Sequence, residues 1–114
     1  MDIKFTSRGN TLIAFLSGEL DHHFAGYARE KLERELLKAT TRNVVFDLTG
    51  LSFMDSSGIG VIFGRYSHVK KFGGRAAIIC KNRKIRSILE ISGILKLIPA
   101  YEELDIALNA MLSA

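Results

Sequence analysis

The chain has 114 residues, 47% of them hydrophobic and 25% charged, with one proline. That is enough for one buried core, too little for two ordinary domains, and unlike a disordered tail, a collagenous repeat or a low-complexity linker. Sixteen basic and twelve acidic residues leave a formal charge of +4, but they are interspersed without a long basic block, so no nucleic-acid partner is expected.

Taken in chain order, Ile3-Lys4-Phe5 and Thr11 to Leu16 are β-rich and flank Ser7-Arg8-Gly9-Asn10, which predicts an antiparallel hairpin. From Phe24 onward, Ala25, Ala28, Leu32, Leu36 and Ala39 recur at helical spacing among Lys, Arg and Glu, a first amphipathic helix. Val44 to Leu48 and Ala76 to Cys80 are continuous apolar runs, as in strands covered on both faces, and Leu97-Ile98 before Pro99 is a shorter strand candidate. Ile59, Ile62, Phe63, Tyr66 and Val69 define a second helix that stops at Gly73-Gly74. Ile85, Ile88 and Leu89 mark a third, ending at Gly93, and Leu104, Ala107, Leu108 and Met111 a fourth. Strands alternating with helices predict an α/β fold: one domain over residues 1–114, a mixed sheet with an N-terminal antiparallel hairpin and then parallel strands, covered by about four helices.

Cys80 is the only cysteine, no Cys/His cluster has zinc spacing, and no apolar window reaches the roughly 18 residues of a membrane span. A cytoplasmic protein with no membrane partner is expected, and Cys80 is read as a packing residue.

Leu51 to Gly60 connects a buried strand to the second helix, where open α/β sheets place functional groups. Ser56 or Ser57 can cap that helix. Gly60 and Gly64 lie inside it, each costing about 0.5–1 kcal/mol relative to alanine. At about 100° per residue they share a side with Ser57, Val61 and His68, opposite the apolar stripe. A strip without side chains lets another backbone approach, either the first helix or a partner, and Val61, expected to be exposed, favours the partner. Gly58-x-Gly60 followed by Gly64 misses the dinucleotide fingerprint because Phe63 holds the third glycine position. Ser56, flanked by Asp55 and Ser57, misses the hydrolase nucleophile pattern. Glu19, Asp21, His22 and His23 hold potential metal ligands, but Asp21 is a good N-cap and adjacent histidines diverge, so no metal or cofactor is expected. Lys81, Arg83, Lys84 and Arg86 form a basic patch read as solvated surface, though an acidic protein could use it.

Taken together, Gly18-Glu19-Leu20-Asp21-His22-His23 and Phe53-Met54-Asp55-Ser56-Ser57-Gly58-Ile59-Gly60, continued by Val61-Ile62-Phe63-Gly64-Arg65-Tyr66, resemble the STAS-domain anti-sigma-factor antagonists of spore-forming bacteria. The likeness covers nearly the whole chain. It implies a non-enzymatic protein in sporulation sigma-factor control that accepts a phosphoryl group on Ser56, with Ser57 its neighbour. The implied partners are an anti-sigma factor that is also an ATP-dependent serine kinase, bound by the unphosphorylated form, and a PP2C-type phosphatase that resets the switch. Asp21 matches a kinase-contacting position. With Asp55, Ser57, Gly58, Gly60, Val61 and Gly64 it makes up the expected partner-binding set. A stress-response antagonist and a nucleotide- or small-molecule-sensing STAS domain are the alternatives.

Overall fold

In the computed structural model, which describes residues 1–38 and 40–112, β1 (Asp2–Arg8) and β2 (Thr11–Leu20) form an antiparallel hairpin running from Asp2 opposite Ser17 to Arg8 opposite Thr11. The chain reverses at Gly9-Asn10, where Gly9 takes φ +60°, a left-handed conformation that glycine adopts without a Cβ clash. In α1 (Ala25–Leu36) the stripe Ala28, Leu32 and Leu36 is buried, while Ala39, the last member of the predicted stripe, lies outside the described residues.

The chain continues through β3 (Asn43–Met54), α2 (Ser56–Lys71), β4 (Ala76–Ile79), α3 (Arg83–Ser92), a 3-10 turn (Ile94–Lys96), β5 (Ala100–Tyr101) and α4 (Leu104–Leu112). The sheet order is β1-β2-β3-β4-β5, and every pairing after the hairpin is parallel. The predicted α/β architecture is thus present. Leu12, Leu16, Val44, Phe46 and Ile78 point to one face and pack with Leu32 of α1, Ile62 of α2 and Leu89 of α3. Their alternating neighbours Ile13, Val45, Ala77 and Ile79 point the other way and are covered by Ala107 of α4. Burial on both faces is why β3 and β4 read as continuous apolar runs, each buried large side chain stabilising the fold by about 1.5–3 kcal/mol.

The strands differ from expectation in length and place: β1 takes in Ser7 and Arg8 of the expected turn, and β2 runs to Leu20 rather than Leu16. β3 does not end at Leu48 but pairs with β2 as far as Leu20 opposite Met54, through register shifts between Phe15 and Ser17 and between Gly18 and Glu19. Gly50 permits the irregular stretch, since a Cβ there would lie 2.8 Å from Ser17 Cβ. The last strand is Ala100–Tyr101 rather than Leu97-Ile98. Pro99 has no N–H for the ladder, yet its carbonyl accepts from Ile78 N at 2.9 Å, so pairing with β4 starts there. Leu97 closes the preceding 3-10 turn, and Ile98 is buried as a packing residue.

Candidate functional site

Parallel pairing of Leu20 with Met54 brings the next residues of both strands, Asp21 and Asp55, out side by side at the carboxyl end of the sheet. The two sequence motifs, more than thirty positions apart, therefore meet at one edge.

Asp55, not Ser56 or Ser57, caps α2. Its φ of −117° and ψ of −170° are extended, as an N-cap requires, while Ser56 is already helical. Asp55 Oδ1 accepts from Ser57 N at 2.9 Å and from Gly58 N at 3.3 Å, and Oδ2 accepts from His22 N at 3.1 Å. Partial desolvation pushes the carboxyl's pKa up, but the N–H groups of His22, Ser57 and Gly58 outweigh it and the pKa lies below the ordinary aspartate value. Ser56 is exposed on the first residue of the helix and free of capping duty.

Asp21 caps a turn rather than α1 itself. Its Oδ1 accepts from His23 N at 2.9 Å and Phe24 N at 3.2 Å, and its carbonyl from Phe24 N and Ala25 N at 3.1 and 2.9 Å. The regular helix begins at Ala25, with Phe24 at its N-cap making no side-chain bond. Asp21 and Asp55 thus each order their own loop, and the Asp55–His22 bond joins the two.

The faces of α2 differ from expectation at Val61, Gly58 and Phe63. Val61, expected on the surface, is buried at 4% exposure. One turn further on, Arg65 donates to Arg29 O at 3.3 Å and pairs with Glu33 at 3.3 Å, so this side of the helix packs on α1. Gly58 is buried as well: a Cβ there would lie 2.6 Å from Met54 Cγ and 2.7 Å from Leu20 O, so its small size serves packing of α2 onto the strand ends. Neither residue offers a surface to a partner. At Gly60 and Gly64 a Cβ would meet nothing within 4 Å, so contact with α1 does not require these glycines. With Ser56 they form a bare ridge at i, i+4, i+8, about 12 Å long at 1.5 Å per residue. Phe63, expected in the core, is instead 47% exposed. It lines a shallow groove of about 300 Å³ beside Ser56 with Ile59, Ile94 and Leu97.

Residues 2–107 match the family described as STAS domain. The chain belongs to this family. It is 36% identical over 102 residues to an anti-sigma F factor antagonist of Paenibacillus polymyxa, covering 90% of this chain and 87% of the relative. It is 34% identical over 84 residues to one of Lysinibacillus sphaericus, covering 74% and 72%. The Bacillus cell fate determinant SpoIIAA in its phosphorylated form superposes with a TM-score of 0.74 at 24% identity, over 96% of this chain and 98% of that one. This STAS domain accordingly groups with anti-sigma factor antagonists of the SpoIIAA type.

Cys80 and two residues of the basic patch have structural partners. Cys80 is 1% exposed, burial pushes its thiol pKa up, and Sγ lies 3.4 Å from Asn82 O as a hydrogen-bond donor. In the basic patch, Lys81 pairs with Glu103 at 2.8 Å and Arg86 with Glu90 at 3.1 Å. The bond to Glu103 raises the Lys81 pKa. No described helix is long and apolar enough to cross a membrane. Two features of the site had no role in the sequence reading: the backbone N–H of His22, which no side-chain pattern reports, and the groove wall at Ile94 and Leu97. Gly93, at φ +83°, was the legible signal for the wall, since it stops α3 and turns the chain back toward Ser56.

Proposed function

We propose that this STAS domain is a phosphorylation-switched antagonist whose unphosphorylated form binds an anti-sigma factor with serine kinase activity and so releases a sporulation sigma factor. Ser56 is the phosphoacceptor, and a PP2C-type phosphatase resets the switch. The observation that carries this reading is an exposed Ser56 on the first residue of α2, in line with the open glycines Gly60 and Gly64. Family membership supplies the class of partner, and relatives carrying the sigma F name at 36% and 34% identity favour the sporulation pathway.

Phosphoserine carries about −1.5 to −2 charge at pH 7. At a helix N-terminus it gains about 0.3–1 kcal/mol from the dipole. Direct bonds to the helix end contribute less here, because Asp55 already engages Ser57 N and Gly58 N. A phosphoryl group on Ser56 would stand at the N-terminal end of the ridge and beside the groove, where a partner packed on Gly60 and Gly64 would have to desolvate it. Within such an interface, an added charge about 4 Å from an acidic group costs on the order of 4 kcal/mol at an effective dielectric of 20.

Mixing the protein with ATP and the anti-sigma factor kinase of the same genome, then weighing it, tests the reading. One added phosphoryl group that maps to Ser56 is expected; an unchanged mass contradicts it.

A further inference from the structure

We propose that Asp55 is a positioning residue: its carboxylate holds the Asp21 turn against the N-terminus of α2, so that Asp21 and Ser56 are presented as one rigid surface. This inference rests on the partner-binding reading above and reassigns Asp55 within it, from a residue that touches the partner to one that aligns those that do.

Three backbone N–H groups converge on the Asp55 side chain, from His22 at 3.1 Å, Ser57 at 2.9 Å and Gly58 at 3.3 Å. Two belong to the first turn of α2 and one to a segment 33 positions earlier in the chain. The main-chain ladder sets the two strand ends side by side as far as Leu20 and Met54, but beyond it the main chain ties the segments only through a long bond from Asp55 N to Leu20 O at 3.4 Å. The Asp21 turn is otherwise held from within, by Asp21 Oδ1 on His23 N and Phe24 N. His22 and His23 are exposed, so no packing of their side chains fixes the turn's place relative to Ser56. A carboxylate is suited to the position because it presents two oxygens, one for the helix cap and one for the turn, and no donor. An ionised acceptor also shortens and strengthens each bond. Ser56 to Ile59 carry no charge, and His22 is the titratable group whose charge acts on the carboxyl, with Asp21 and His23 in the same turn.

Asp55→Asn separates the two duties. Its single oxygen still caps α2, while its amide group turns a donor toward the His22 N–H. Asp55→Ser is the second variant, an equally good cap too short to reach the turn. Both are compared with wild type by amide hydrogen exchange at His22 and by titration calorimetry against the purified anti-sigma factor kinase. In both variants His22 is expected to exchange about tenfold faster or more, and kinase affinity to fall about tenfold or more, while unfolding stays cooperative. In wild type the His22 amide shift should also titrate with Asp55, below the ordinary aspartate range, and this titration should vanish in Asp55→Asn. Unchanged His22 exchange in both variants overturns the bridge. Faster exchange with undiminished kinase affinity overturns the positioning role. A wild-type chain that fails to bind the kinase overturns the functional reading, which the exchange measurement keeps separate by deciding the bridge without any partner.

Discussion

Ser56 and Asp55 stand side by side at the head of α2, one exposed and the other committed to hydrogen bonding. Because Ser56 is exposed while Ser57 is half-buried, kinase treatment should modify Ser56→Ala not at all. Tandem mass spectrometry should place the wild-type phosphoryl group on Ser56, and phosphorylation at Ser57 would contradict the assignment. The depressed Asp55 pKa has a definite pH consequence. A carboxylate held below its unfolded value stabilises the fold fully above that ordinary value, and the contribution is lost as pH falls through the folded pKa. Asp55→Asn should therefore flatten the acid limb of the stability profile below about pH 4, measured by urea unfolding at stepped pH. A limb as steep as in wild type would show that Asp55 does not titrate with folding. The motif residues were legible in sequence, but which one caps was not, since Asp55, Ser56 and Ser57 are all good caps and the extended backbone of Asp55 decides it.

The three glycines of α2 make a set of opposite expectations. Gly60→Ala and Gly64→Ala fill open space and replace a poor helix former, so thermal stability should hold or rise by about 0.4–1 kcal/mol. Kinase binding should nonetheless weaken in both. Gly58→Ala drives a Cβ into Met54 and Leu20 and should cost about 1–3 kcal/mol. Calorimetric unfolding and a binding titration on the three variants check this, and a Gly60→Ala protein of lower stability with intact binding would overturn the bare ridge. Periodicity located α2 but misread its faces for a physical reason. The helix packs on the strand ends, on α1 through Arg65 and beside the Ile94 turn, so its contacts span more than one stripe. A single apolar stripe then cannot separate Phe63, which lines a groove, from Val61, which is buried. β3 was underestimated because its second half, with Thr49, Gly50 and Ser52, pairs through shifted register and leaves no alternating pattern.

At the scale of the molecule, the mixed sheet and its layering were legible because the β3 and β4 runs are buried on both faces and the helices between them are amphipathic. The meeting of Asp21 with Asp55 was not, since it depends on the Leu20–Met54 register across two strands. The proposed switch would require no rearrangement of the scaffold, because Ser56 is exposed and a phosphoryl group there would add charge to a surface. Phosphorylated and unmodified protein should therefore give superimposable circular dichroism, and Ser56→Asp should weaken kinase binding less than phosphorylation does. The most direct measurement is a calorimetric titration of the purified anti-sigma factor kinase with unmodified and with Ser56-phosphorylated protein at matched ionic strength. Binding by the unmodified form, weakened on the order of a thousandfold by the phosphoryl group and partly recovered at 1 M salt, where screening shortens to about 3 Å, is the expected result. Equal affinity of the two forms would contradict a phosphorylation switch at Ser56.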